Sequence, residues 1–278
     1  MFTGRKLLIA TKHQKEKIIA PLIEKAIGAL CFISTAFDTD SLGTFSGEIE
    51  RKDNALTTLR NKCLLGFQNT NCDLVIASEG SFGAHPTLFF ASANEEMIML
   101  KDFKNDIEIV ARELSLETNS KGITIEFEKD LIEFAQNIQF PAHGIILKSS
   151  EKNPLKIRKD FDSLVELLEQ YNRLKSDHSS IYAETDMRAH RNPTRMKVIE
   201  KVTYSLIEKI KNCCPNCKTP GFDVVSAQFG LPCALCSLPT RSTLSHLYQC
   251  KKCGFQQEKM FPRGIQVEDP TYCDNCNP

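Results

Sequence analysis

Residues 6–34 read KLLIATKHQKEKIIAPLIEKAIGALCFIS, and this stretch decides the class of fold. Lys6-Leu7-Leu8-Ile9-Ala10 is a short apolar run of the kind that makes a buried strand. A basic segment follows, Thr11-Lys12-His13-Gln14-Lys15-Glu16-Lys17. Ile18, Ile19, Leu22, Ile23 and Ile27 then recur at helical spacing up to Gly28, a residue suited to closing a helix. Pro21 lies inside that helix, where it introduces a kink or begins the well-formed part. Leu30-Cys31-Phe32-Ile33-Ser34 reads as a second strand.

The same alternation continues outward. Helices are predicted over Ala55–Phe67, Asp106–Leu116 and Asp130–Ile138, and along the face Phe161, Leu164, Val165, Leu168 and Tyr171. Strands are predicted at Asp73–Ala77, Thr87–Ala91, Glu96–Leu100, Gly122–Phe127 and His143–Leu147. After a short run at Ile181–Ala183, Met196, Ile199, Val202, Leu206 and Ile210 mark a long helix, with Asn192 as its cap and Pro193 in its first turn. The expected fold class is α/β: a mixed, partly parallel sheet flanked by helices, then a long helix and a C-terminal double zinc-ribbon-like module. The expected divisions are an α/β domain over 1–179, a linking motif and helix over 180–212, and a Cys-rich module over 213–278.

Lys+Arg and Asp+Glu both number 35, so the formal net charge is zero. A globally basic nucleic-acid binder and an acidic tail protein are excluded; a local basic patch is not. Hydrophobic residues make up 41% and charged residues 25%, which excludes wholesale disorder. No stretch approaches the roughly 18 apolar residues of a membrane span, and Met1–Lys17 lacks a secretory pattern. A cytoplasmic, reducing setting is therefore expected, in which clustered cysteines hold metal more often than they form disulfides.

Four Cys-x2-Cys pairs close the chain: Cys214 with Cys217, Cys233 with Cys236, Cys250 with Cys253, and Cys273 with Cys276. Two thiolates three positions apart in a tight turn reach one ion, and two such turns complete a tetrahedral shell that selects zinc. Two structural Zn2+ ions are expected. Nearest-neighbour pairing gives two ribbon-like sites; the spacing leaves open an interleaved arrangement, first pair with third and second with fourth. Cys213 could replace Cys214, but Cys214 keeps the knuckle spacing. Four thiolates leave no open position for Lewis-acid chemistry. Lys209, Lys211, Lys218, Arg241, Lys251, Lys252, Lys259 and Arg263 give the tail cations for docking nucleic acid or protein, although acids intervene.

Polar clusters fall where the first three strands should end, the place where open α/β sheets bind ligands. After the first strand, Lys12, His13, Lys15 and Lys17 adjoin a helix N-terminus and suit a phosphate. After the second, Asp38 to Arg51 brings acids, hydroxyls and glycines suited to Mg2+ or sugar hydroxyls, with Glu48 and Arg51 among them. After the third, Ala77 to Pro86 supplies Glu79 and His85 for metal binding or proton transfer. Asp186, Arg188, His190, Arg191 and Arg195 form a further ionisable motif, suited to phosphate contacts or to an ion-pair cluster pinning the long helix.

Nearly the whole chain resembles an uncharacterised bacterial family with an α/β region and a four-knuckle Cys tail. The resemblance rests on Ala10-Thr11-Lys12-His13 with Glu16-Lys17; Gly43 to Glu48; Ser78 to Gly83; Glu184 to His190; Asn192 to Met196; and Cys273 to Pro278. It implies no activity. Over about the first hundred residues, a second resemblance follows the order Ala10-Thr11 with its lysines, Gly43-Thr44-Phe45, Asn61-Lys62, then Ala77-Ser78-Glu79-Gly80. That order is similar to the house-cleaning nucleoside triphosphate pyrophosphatases, the inosine-triphosphatase and Maf-like group. It implies purine nucleotide binding with Mg2+ or Mn2+ and cleavage between the α and β phosphates. Lys12, Lys15 and Lys17 would then contact phosphate, Glu79 would bind metal, and Glu48 would bind metal or activate water. The pattern departs from that group in its first loop and in having the single acid Glu79 after the third strand. Together these readings lead to the expectation of a zinc-containing, metal-dependent hydrolase of a nucleotide or nucleic-acid phosphate. The alternative is a non-enzymatic nucleic-acid- or protein-binding module with structural zinc.

Overall fold

A computed structural model describes residues 1–37, 53–88 and 90–278. It is a mixed α/β structure with a partly parallel sheet and five α-helices among the described residues. The chain divides into two compact units, Met1–Asp106 with Val110–Leu206, and Ile107–Ile109 with Ile207–Pro278.

The first unit opens with β1 (Lys6–Ala10), α1 (Glu16–Ile27), β2 (Leu30–Phe32), α2 (Ala55–Thr70), β3 (Leu74–Ala84) and β4 (Ser92–Asp102), followed by β5 (Ile107–Ser115). Their sheet has the order β2-β1-β3-β4-β5. β1 runs parallel to β2 and to β3, while β3 and β4 are antiparallel. Leu7, Leu8, Ile9 and Ala10 are all buried, as expected for a parallel strand covered on both faces. Leu8, Ala10, Val75 and Ala77 pack with Leu59 and Cys63 of α2. The step from β1 to β2 through α1 and the step from β2 to β3 through α2 run in opposite directions along the sheet, so right-handed crossovers put α1 and α2 on opposite faces. α1 buries Ile19 and Ile23, carries Pro21 within it, and ends at Gly28 with φ 68°, whose N–H reaches the Glu24 carbonyl. A strand order of 2-1-3 places the ligand crevice outside the C-terminal end of β1, where β3 runs on past it.

The unit continues with β6 (Gly122–Ile125), α3 (Glu128–Asn137), β7 (Ile145–Lys148), β8 (Ile157–Arg158), α4 (Leu164–Lys175) and β9 (Ile181–Thr185). These strands form a sheet in the order β6-β9-β7-β8. Ile125, Leu131, Phe134, Ile145, Leu147, Leu167, Tyr171 and Ile181 share its core. The long helix α5 (Pro193–Lys211) buries Val198, Ile199, Val202, Leu206 and Ile210. The Asn192 side-chain oxygen accepts the Arg195 N–H at 2.9 Å and caps it. β10 (Asp223–Phe229), β11 (Thr243–Gln249) and β12 (Gln256–Met260) form the antiparallel sheet of the second unit. Among the described residues no helix is long and apolar enough to cross a membrane.

Four sequence expectations are corrected. The predicted helix Asp106–Leu116 is β5. Ile107, Val110, Ala111 and Leu114 fit a helical spacing, yet Ile107, Ile109 and Ala111 are the buried set, at period two. Ser78 to Ala84, read as loop, continues β3 and pairs residue by residue with β4, from Ile98 to Ser92. Thr87–Ala91, read as a strand, falls in the connection between them. α4 turns Leu167, Tyr171 and Leu174 inward and leaves Val165 68% exposed, a face rotated from the predicted one.

Candidate functional sites

Each cysteine knuckle of the second unit is built by the same local bond. The N–H after the second cysteine donates to the carbonyl of the first: Lys218 to Cys214, Ser237 to Cys233, Gly254 to Cys250 and Asn277 to Cys273, at 2.9–3.0 Å. Lys218, Ser237 and Gly254 take positive φ to do so. That turn points both sulfurs of a knuckle the same way.

The sheet then decides which knuckles meet. Asp223 opens β10 opposite Gln249, which ends β11, so the chain just before β10 and just after β11 lies at one end. Phe229 lies opposite Thr243, and Met260 opposite Ser245, at the other end. Cys214, Cys217, Cys250 and Cys253 therefore form one group, and Cys233, Cys236, Cys273 and Cys276 the other. The interleaved arrangement holds. Cys213 is exposed and outside both groups. His246 is also outside them, in β11 opposite Ala227 and Lys259.

Sulfur separations test whether an ion fits. Cys214 to Cys253 is 3.7 Å and Cys217 to Cys250 is 3.6 Å. In the second group, Cys233 to Cys276 is 3.9 Å and Cys236 to Cys273 is 3.6 Å. A tetrahedron with metal–sulfur bonds of about 2.3 Å has edges of about 3.8 Å. The eight knuckle cysteines carry free thiols. Both groups could hold a metal ion such as zinc, with four thiolates closing the shell. Cys214, Phe222 and Cys250 form a small core around the first, with Tyr248 and Phe255 against it.

In the first unit, a buried ionic cluster lies just past the end of β1, at the middle of β3. Lys15, 4% exposed, donates to Ser78 Oγ at 3.2 Å, and Ser78 Oγ lies 3.4 Å from Thr11 Oγ1. Lys62 of α2 forms an ion pair with Glu79 and also reaches the Ser78 carbonyl at 3.4 Å. Arg195 Nε donates to Glu96 Oε1 at 2.6 Å, with both side chains essentially buried. Arg195 Nη1 also donates to the Met187 carbonyl, and the guanidinium lies 5.3 Å from the Phe82 ring. Burial above all, then the Arg195 charge, pulls the Lys15 amine down to about 7.

Gly80 makes the second pair fit, since a Cβ there would run into the Glu96 carboxylate and the Arg195 guanidinium. Gly80→Ala is expected to cost about 1–3 kcal/mol through overpacking, read as a lower denaturant midpoint with an unchanged slope. An unchanged midpoint would mean that the pair moves aside freely. Because Gly80 faces Glu96, the neighbouring Glu79 lies on the opposite face of the sheet. Each carboxylate is thus held by its own cation on its own face. Among the described residues only the cysteine groups bring three or more potential metal ligands together.

The other expected site residues spread around this cluster. Lys12 and His13 line, with Thr11 and Ser34, a crevice of about 620 Å³ beside the ends of β1 and β2. His13 stacks on His190 at 5.3 Å, and burial first, then the His190 and Lys15 charges, lower it to about 3. Lys17 is exposed and bonds Gln14. His85 accepts the N–H groups of Thr87 and Leu88. It lies about 20 Å along the strand from Glu79, so the two are not brought together. Asp186 and Arg188 pair at 2.6 Å, Arg188 also holds Asp160, and Arg191 holds Asp162. Burial opposes the charge on Asp160, but the Arg188 hydrogen bond prevails and lowers its carboxyl. This part of the motif is an ion-pair cluster. Glu48 and Arg51 lie outside the described residues.

Sequence reasoning missed Glu96 and the pairing of Arg195. Both left a signal. Glu96 opens the run Glu96-Met97-Ile98-Met99-Leu100, where an acid beside a buried strand needs a partner. Arg195 sits in the first turn of α5, the end of a helix that disfavours cations.

Comparison with a solved structure, the crystal structure of protein VC0702 from Vibrio cholerae, gives 8% identity and a TM-score of 0.34 over 76% of this chain and 97% of that one. A likeness at that level carries no argument. No curated protein matches the chain. A family model described as Domain of unknown function (DUF6671) matches residues 62–278, from Lys62 through every cysteine knuckle. With most of its length matched, the chain belongs to this family.

Proposed function

We propose that the first unit binds and hydrolyses a phosphate-bearing substrate of the nucleotide class at the end of β1, beside the middle of β3, and that two Zn2+ ions hold the second unit as a scaffold. The observation that carries the first part is the burial of Lys15, Lys62 and Arg195 around Ser78–Gly80 of β3, where Glu79 and Glu96 are, among the described residues, the acids paired with them. Buried cations at a switch point, behind a crevice lined by Lys12 and His13, favour an oxyanion. The nucleotide class is taken from the similarity of motif order, over about the first hundred residues, to the nucleoside triphosphate pyrophosphatases. Lys12 would meet the phosphate in the crevice, and Glu79 would hold Lys62 in place. The expected Mg2+ or Mn2+ finds little support in Glu79 and Glu96, which face apart and are each paired with a cation, and no step of the proposed reaction runs through it. Docking of nucleic acid on the second unit draws less support, because Lys209, Arg241 and Arg263 are each tied to a carboxylate.

Release of phosphate or pyrophosphate from a nucleotide panel, with Mg2+ or Mn2+ supplied, tests the proposal. Turnover is expected in the wild type and a fall of about 100-fold or more in Glu79→Gln, with melting confirming that the variant folds. No turnover on any nucleotide, or equal turnover in the folded variant, would sink the hydrolase reading.

A further inference from the structure

We infer that Lys15 is a proton acceptor linked to ligand entry: an oxyanion with two or more negative charges binds at the end of β1 together with one proton, which Lys15 takes up. This inference rests on the proposed phosphate site and adds the charge state in which that site operates.

Among the described residues, the geometry leaves Lys15 as the surplus cation. Charged groups face it from each neighbouring element: Glu79 from β3, Glu96 from β4, Lys62 from α2, Arg195 from α5, and His13 from its own loop. Both carboxylates are already engaged, Glu79 by Lys62 and Glu96 by Arg195. The hydrogen-bond partner of Lys15 is the neutral Ser78 hydroxyl, not a carboxylate. A third cation in so dry a place, beside Lys62 and Arg195, is disfavoured until an anion balances it. The lowering of Lys15 to about 7 agrees with this arrangement. Ser78 and Thr11 connect the amine to the crevice that Thr11, Lys12 and His13 line, so an anion there lies within electrostatic reach of Nζ. Entry of the anion restores the charged form, and the proton comes from solvent.

The sign follows by linkage. Below about pH 7 the amine is already charged and binding takes up no proton. Above it, the empty site is neutral, a proton must be recruited, and affinity falls by up to about tenfold per pH unit. The test is calorimetric titration of the full, zinc-loaded chain with inorganic pyrophosphate at pH 8, in two buffers of different ionisation enthalpy. Wild type is compared with Lys15→Arg, so that the protonation of pyrophosphate itself cancels. Wild type is expected to take up close to one more proton per anion than the variant, and its affinity to fall more steeply between pH 7 and pH 9. Should Lys15→Arg fail to fold, Lys15→Met serves as the reference with the same expectation. Equal proton uptake and parallel pH profiles would overturn the inference while leaving the oxyanion site intact. Absence of pyrophosphate binding in every protein would overturn both.

Discussion

The double variant Cys214→Ser/Cys250→Ser is expected to retain one equivalent of metal, and Cys250→Ser/Cys273→Ser none. The first pair of changes falls within one sulfur group; the second strikes both. Nearest-neighbour pairing would give the opposite result, so metal content per chain, read by elemental analysis, decides between the two arrangements. The energetic consequence is the largest available in this protein. Structural zinc contributes on the order of 10–16 kcal/mol in small metal-dependent folds. The second unit has little else to rely on, since its described core around the first group is Cys214, Phe222 and Cys250. Phe229, Leu235 and Tyr272 meanwhile lie well exposed. Chelation is therefore expected to erase the β10–β12 sheet, seen as loss of its amide protection against hydrogen exchange. Full protection after complete removal of metal would show that the sulfurs are incidental.

Arg195→Met is expected to cost about 3–5 kcal/mol, the usual effect of stranding one member of a buried ion pair. The loss comes mainly from Glu96, whose carboxylate would stay in a dry site without its guanidinium. A stranded carboxylate prefers its proton, which raises its folded-state pKa above the unfolded value. Stability of the variant should then fall as pH rises through the acid range, and the deficit measured at pH 5 should be smaller than at pH 8. Adding Glu96→Gln should recover much of the loss, since no charge is left stranded. Urea denaturation of the four proteins at both pH values checks this. Simple additivity of the two changes would mean that the pair is uncoupled.

Legibility of the fold depended on whether a signal was local. β1, α1 and Gly28 were readable because strand apolarity, helical spacing and a left-handed cap each lie within a few residues. The eight knuckle cysteines were readable for the same reason, but their partnership was not. It depends on β10 pairing with β11 in reverse, a contact between residues about twenty-five positions apart. β5 was missed because nine residues of Ile-Glu-Ile-Val-Ala-Arg-Glu-Leu-Ser satisfy both periods, and only neighbouring β4 selects one. The polar end of β3 looked like a loop because its hydrophilic residues have remote partners: Lys15 for Ser78 and Lys62 for Glu79. Glu96 and Arg195, 99 positions apart, carry the same lesson. Buried polar residues in strands are legible as anomalies, but their meaning comes from the other end of the chain.

The alternation of the sulfur groups along the chain has a consequence for synthesis. The ribosome releases Cys214 and Cys217 first, then Cys233 and Cys236, and neither set can close a cage by itself. The first ion is locked only after Cys253 has emerged, the second only after Cys276. Until then, four early thiolates remain together without their proper partners, free to trap an ion between the wrong turns. An ion caught at that stage must exchange partners once Cys250 and Cys253 emerge, whereas an ion supplied to the finished chain meets all eight thiolates at once.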